Sequence, residues 1–122
     1  MTRPVLLRPA ATPIDWEIIK GDTCKILVPV LDDNDNPAEL DGWSAKAQVR
    51  RSEREPLLHE WSSDASTITV QATSLLIHVD GATTSAWPWT DALMSIEVRE
   101  PAGGPTHTIA QGPIRALPEI TQ

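Results

Sequence analysis

The sequence predicts an all-β fold, a single antiparallel β-sandwich, and three observations predict it. Short apolar runs are divided by 11 Pro and 6 Gly distributed along 122 residues, which is the rhythm of strands and turns rather than of helices. From Trp43 to Arg50 the chain alternates strictly, with Trp43, Ala45, Ala47 and Val49 on one side and Ser44, Lys46, Gln48 and Arg50 on the other, as a half-buried strand requires. No apolar stretch keeps helical spacing long enough for a good helix. A chain of this length builds one domain around one core, divided here into an extended arm over residues 1–13 and a body over residues 14–122.

Taken in order, the arm carries Pro4, Pro9 and Pro13. Each lacks an amide donor and fixes φ, so the segment is expected to be extended rather than ladder-forming, and its Val5, Leu6 and Leu7 need a surface to cover. Ile14, Trp16 and Ile18 alternate with Asp15 and Glu17 as a first strand, stopped by a turn at Gly21-Asp22. Residues 24–31 follow, apolar on both faces. By parity Cys24, Ile26, Val28 and Val30 point inward, while Leu27, Pro29 and Leu31 form an apolar row on the other side. After a polar turn over 32–37 comes the strand ending at Arg50, then a charged loop and strands near 57–61, 67–71 and 75–79. Residues 80–90 are expected to be a loop with at most one helical turn before Pro88. A strand follows over 93–99, then the turn Pro101-Ala102-Gly103-Gly104-Pro105 and a last pair of strands near 106–110 and 113–117. The count is seven to nine strands in an Ig-like arrangement.

Charge excludes one class of function. Ten basic against seventeen acidic residues give a net charge of -7, whereas nucleic-acid binding draws most of its affinity from clustered Lys and Arg. Lys46, Arg50, Arg51 and Arg54 are a local exception interleaved with Glu53 and Glu55, which reads as a solvated hairpin end. No run approaches the ~20 apolar residues that span a bilayer, and the first residues lack the apolar core of a secretory signal. Synthesis in a cytoplasm without a membrane partner is the expectation, and a lone Cys24 suits that compartment.

No constellation points to catalysis or to a cofactor. Asp32, Asn34 and Asn36 have calcium-loop spacing, but Pro37 stands where the loop needs Gly and Trp43 where it needs a bidentate Glu, so a polar turn is expected and no metal. His59, His78 and His107 are far apart with no second ligand nearby, and no G-x-S-x-G elbow is present. Cys24 reads as a buried, inert filler. Trp16 and Trp43 share parity with inward aliphatics and read as core. Trp87 and Trp89 flank Pro88 and either cap one end of the fold or form a contact surface, since Trp is enriched at interfaces.

The ordered set Gly21-Asp22-Thr23, apolar strand, polar turn with Pro37, Leu40-Asp41-Gly42, strand ending Gln48-Val49-Arg50, Thr83-Thr84 before the strand Met94 to Val98, and a close from Gly112 to Glu119-Ile120-Thr121 resembles a known family. It is the small β-sandwich domains of tail and baseplate-associated proteins in tailed bacteriophage virions, of the baseplate upper protein N-terminal type or the LtfC-like type. Many relatives have an aromatic followed by Asp where this chain has Met94-Ser95. The resemblance implies a non-enzymatic virion building block, placed in the tail or baseplate or decorating the capsid, with other virion proteins and copies of itself as partners. The expected assembly interface is Val5, Leu6 and Leu7 of the arm against Leu27, Pro29 and Leu31, on the same subunit or, preferentially, on a neighbour. The alternative is a carbohydrate-binding or adhesin-like module that uses Trp87 and Trp89.

Overall fold

The computed structural model describes residues 12–52 and 54–118. Strand β4 (Ser44–Arg50) forms where the alternation is strictest, and its burial alternates residue by residue with Ala45, Ala47 and Val49 inside. It lies between β5 (Leu57–Ser62) and β8 (Asp91–Arg99), antiparallel to both. β9 (Thr106–Leu117) pairs with the far side of β8. β1 (Thr12–Pro13) and β2 (Trp16–Ile19) then take successive stretches of the outer edge of β9, completing a six-stranded sheet. The second sheet has three antiparallel strands in the order β3 (Cys24–Pro29), β7 (Ser74–Val79), β6 (Ile68–Val70). Among the described residues the fold is therefore all-β, with one short α-helix, α1 (Gly81–Ser85).

One core joins the sheets. Ala47, Val49, Ile96 and Ile114 from the larger sheet and Leu75 and Ile77 from the smaller are fully buried in a single apolar cluster, and each large aliphatic side chain so buried contributes about 1.5–3 kcal/mol. Two of the sequence marks close this core at opposite ends. The Thr23 hydroxyl accepts the Gly81 amide at 3.0 Å, and the buried Thr84 hydroxyl accepts the Gly21 amide at 2.9 Å, so Gly21-Asp22-Thr23 and Thr83-Thr84 are two halves of one latch between the β2–β3 turn and α1. At the other end Leu40 is buried, its carbonyl accepts the Trp43 amide at 3.1 Å, and Gly42 takes φ +79, a left-handed turn that Gly adopts without a Cβ penalty.

Several expectations are corrected. The sheets are not antiparallel throughout: β1 and β2 run parallel to β9, because the chain reaches the second sheet through the β2–β3 turn and its first strands must lie along the free side of the last one. The last pair of strands is one continuous strand, β9, which runs straight through Gly112 in register with Met94 instead of turning. Thr12 and Pro13 belong to a ladder rather than to the arm; the rest of the arm, with Val5, Leu6 and Leu7, lies outside the described residues, as do Glu53 and Glu119-Ile120-Thr121. Cys24 has the predicted parity but is exposed. It opens β3 directly after a turn, and burial along this strand deepens only gradually, through half-buried Ile26 and Val28 to buried Val30. Thiol reagent should accordingly label Cys24 in the folded protein nearly as fast as in the denatured protein; protection by a factor of ten or so would place it back inside the core.

Candidate functional site

Two surfaces have features that the core does not explain. The first is the open side of β3. Among the described residues this strand is the last of its sheet and pairs only with β7. Val30 donates its amide to Thr73 at 3.1 Å, so antiparallel alternation turns the amide positions of Lys25, Leu27 and Pro29 toward the open edge. Pro29 has no amide to present there, as its sequence predicts for an edge strand. Leu27 is 58 % exposed, Pro29 is exposed, and Leu31 is half-buried where it bridges to Pro37. The row thus stands in water over Leu27 and Pro29 and is partly covered at Leu31.

Immediately beyond Leu31 the polar turn closes on itself. The Asp32 carboxylate accepts the amides of Asn34 and Asn36 through one oxygen, both at 2.9 Å. This is an Asx-type turn, and it sets Asp32 and exposed Asp33 beside the end of the apolar row.

The second feature is an aromatic cluster at the end of the molecule that carries the Thr84 latch. Trp87 and Trp89, displaced to either side of Pro88, stack with ring centroids 4.5 Å apart and planes 23° from parallel. Trp61 and His59 of β5 pack against Trp87, the former edge-on at 5.9 Å and the latter at 5.2 Å, while Lys20 donates to the Trp87 carbonyl at 3.0 Å. Trp87 is 8 % and Trp89 3 % exposed. The two rings therefore cap the core instead of offering a shelf, and a sugar would find no open ring face on either. The indole N–H of Trp89 is buried with no hydrogen-bond partner among the described residues.

Of the two readings of the Trp87–Trp89 loop, the cap is the one this geometry supports. As a residue of the strand near 57–61, His59 is expected at the surface; it is in fact half-buried, edge-on to Trp61 at 4.5 Å. The signal was its place two residues before an inward Trp. Burial holds its imidazole below the ordinary value of 6.5, against a weaker upward pull from the Glu60 carboxylate. The folded protein then binds this proton less readily than the unfolded chain does. The stability linked to His59 is full above the unfolded value and is lost as pH falls from there through the folded value. Melting temperature should fall between about pH 7.5 and pH 5.5, and fall less in His59→Gln. Because every other group is common to both proteins, the difference isolates His59; parallel pH profiles would overturn the assignment.

A shallow depression of about 540 Å³ also lies on the outer face of the larger sheet, over Ser95 and Gly112 and between Gln48, Arg50, Leu93 and Gln111. Arg50 is held there by the Glu55 carbonyl and the Gln48 side chain, and Gln48 by Glu60 at 2.7 Å. Elsewhere His107 pairs with Glu100 at 3.0 Å, and the His78 ring lies 2.8 Å from the Thr69 hydroxyl, so the three His are apart and each has a local partner. Among the described residues no three His, Cys, Asp or Glu side chains converge as metal ligands would.

No family model and no curated protein matches this chain. The motifs of the resemblance have, in this fold, the structural roles described above. Gly21-Asp22-Thr23 and Thr83-Thr84 latch two turns, Leu40-Asp41-Gly42 makes a third, and Gln48-Val49-Arg50 ends a central strand. None of them brings a nucleophile to a base. What remains unexplained by packing is the exposed apolar row on β3.

Proposed function

We propose that this protein is a non-enzymatic structural component of a tailed phage or prophage virion, a single Ig-like β-sandwich that works by surface complementarity in the tail or baseplate, or as a decoration of the capsid. Its partners are other virion proteins and further copies of itself. The observation that carries this reading is the open edge of β3, where Leu27 is 58 % exposed beside Pro29. An isolated exposed Leu is ordinary, but an apolar row along an unpaired strand is a docking surface unless something protects it. The ordered motifs add the phage context. Three further large apolar side chains, Ile19, Leu57 and Leu93, are exposed on the larger sheet, Ile19 and Leu57 on strands at its opposite edges.

Sedimentation of the full chain at micromolar concentration tests the reading, with assembled species expected. Proteomic analysis of tailed particles induced from the source strain should also find this polypeptide at a stoichiometry of several copies per particle. A chain that stays monomeric at all concentrations and is absent from particles would overturn the proposal.

A further inference from the structure

The open edge of β3 is complementary to itself. We infer that two copies of this chain join edge to edge through β3, antiparallel about a two-fold axis at Leu27, so that β6, β7 and β3 of one copy continue into β3, β7 and β6 of the other. This inference rests on the assembly role proposed above and names the contact through which two copies meet.

Backbone hydrogen bonding selects the register. The amides and carbonyls of Cys24, Ile26 and Val28 are turned to β7, so those of Lys25 and Leu27, with the carbonyl of Pro29, face the open edge. With Leu27 on the axis, the two Leu27 residues exchange amide-to-carbonyl bonds in both directions, and the Lys25 amide of each copy donates to the Pro29 carbonyl of the other. The missing Pro29 amide leaves only the Lys25 carbonyl opposite it to water. Neighbouring registers are worse. An axis at Lys25 or Ile26 brings the two Lys25 ammonium groups side by side, and an axis at Val28 or Pro29 puts the missing amide at the centre of the ladder. Lys and Pro are residue types that keep an edge from pairing indiscriminately; placed at these two positions they leave one register open and exclude those beside it.

The side chains agree with that register. On the outer face Leu27, 58 % exposed, meets its counterpart across the axis, flanked by exposed Pro29 and the Lys25 stem. On the inner face Ile26 falls opposite Val28 of the other copy. Both are half-buried against the core of their own subunit, and as a non-hydrogen-bonded pair they approach closely enough to cover what remains exposed. A strand at the edge of its sheet thereby has a use for apolar residues on both faces.

Charge fixes the direction. The row begins at Lys25 and runs into Asp32 and exposed Asp33. A parallel pairing would set like charge on like, whereas the antiparallel one brings Lys25 of each copy toward the carboxylates of the other. Asp22, the nearest acid on the Lys25 side, belongs to the β2–β3 turn, where the Ile19 carbonyl accepts its amide at 3.1 Å. The contact closes under its own two-fold, so it yields a dimer rather than a fibre. An edge contact is narrow, and interfaces below about 1,200 Å² are weak, so association is expected in the micromolar range.

Disulfide trapping tests the register, and sedimentation tests the association. In a Cys24→Ser background, Leu27→Cys places thiols on the axis, where the Cα atoms of a hydrogen-bonded antiparallel pair stand about 5.5 Å apart, within disulfide range. Lys25→Cys in the same background places them about 14 Å apart or more. Under mild oxidation the first variant is expected to form covalent dimer at least tenfold faster than the second, and equal rates overturn the inference. Lys25→Glu should raise the dimer dissociation constant tenfold or more at low salt, and adding Asp33→Lys to the same chain should restore most of it; no change in either variant overturns the pairing. Leu27→Asp, at an exposed position, should sediment as a monomer with its β dichroism intact. If it assembles like the parent, the inference is overturned while assembly through another face stands. A full chain that is monomeric at all concentrations also overturns it, and the proposed virion role then rests on the particle analysis alone. A Leu27→Cys thiol shielded from thiol reagent in such a monomer would mean that a segment of the same chain covers the edge, which overturns the inference as well.

Discussion

Gly112→Ala should be among the most damaging single substitutions in this protein, although it adds one methyl group. Gly112 sits within β9 at φ +154, a conformation that side chains rarely adopt, and a Cβ there would fall on the carbonyl oxygen of Ile14 and 2.8 Å from its amide nitrogen. Both obstacles are backbone, held in place because Ile14 is buried and donates to the Gln111 carbonyl at 2.8 Å. The chain crosses from β1 to β2 at this point and needs the missing side chain to come that close. Backbone strain of about 1–3 kcal/mol and overpacking of similar size together remove about 3 kcal/mol or more. For a domain of this size that lowers the melting temperature by about 10 °C or more. Gly103→Ala is the control, since Gly103 also has positive φ but its nearest atom to a new Cβ is an Arg99 side-chain nitrogen at 3.8 Å, so only the strain of about 1 kcal/mol applies. Thermal melts of the two variants separate the effects: equal melting temperatures would mean that β1 and β2 do not lie against β9 as described.

The limits of the sequence reading follow from the same physics. Period-two alternation located β4, β7 and β8 because each is flanked by strands on both sides, so that one face is buried along its whole length and the pattern is forced. β3 kept the right parity, but depth of burial depends on how far the partner sheet extends over a strand, and nothing local to Cys24 reports that the other sheet falls short there. The expected strands near 106–110 and 113–117 divide β9 at Gln111-Gly112. In this fold the glycine admits a neighbouring backbone and the proline lies opposite Leu93, so punctuation that usually marks a turn marks a close approach instead. Parallel pairing of β1 and β2 with β9 joins residues about a hundred positions apart and leaves no local trace. Even the exposed Arg115–Glu17 bridge across that pair, at 2.7 Å, contributes only about 0–1 kcal/mol and could not have specified it. The edge at β3 was legible through Pro29, because a missing amide is a property of one residue. The Trp cluster was not, since it assembles β5 with a loop more than twenty residues later and depends on their meeting at one end of the core.

That cluster gives the second large effect. Trp87→Ala removes a ring that is 8 % exposed, stacks on Trp89 and meets both Trp61 and His59. Truncating a buried aromatic costs about 3–5 kcal/mol through lost transfer energy and the cavity that remains, and the contacts between rings add to it. A melting temperature lower by about 10 °C or more is expected, with loss of the near-ultraviolet dichroism that stacked indoles produce. Trp89→Phe should behave differently. It keeps an aromatic surface against Trp87 and deletes the indole N–H that is buried without a partner; leaving such a donor unpaired costs about 1–3 kcal/mol, so removing it offsets much of the lost ring area and the variant should melt close to the parent. This pair of substitutions also weighs the cap against the sugar-binding alternative. A ring that serves as a platform for a ligand is removed with loss of binding and little loss of stability, whereas a ring that closes the core is removed with loss of stability. A Trp87→Ala protein that melts with the parent would mean that the indole is a surface group, and would return Trp87 and Trp89 to consideration as a contact surface.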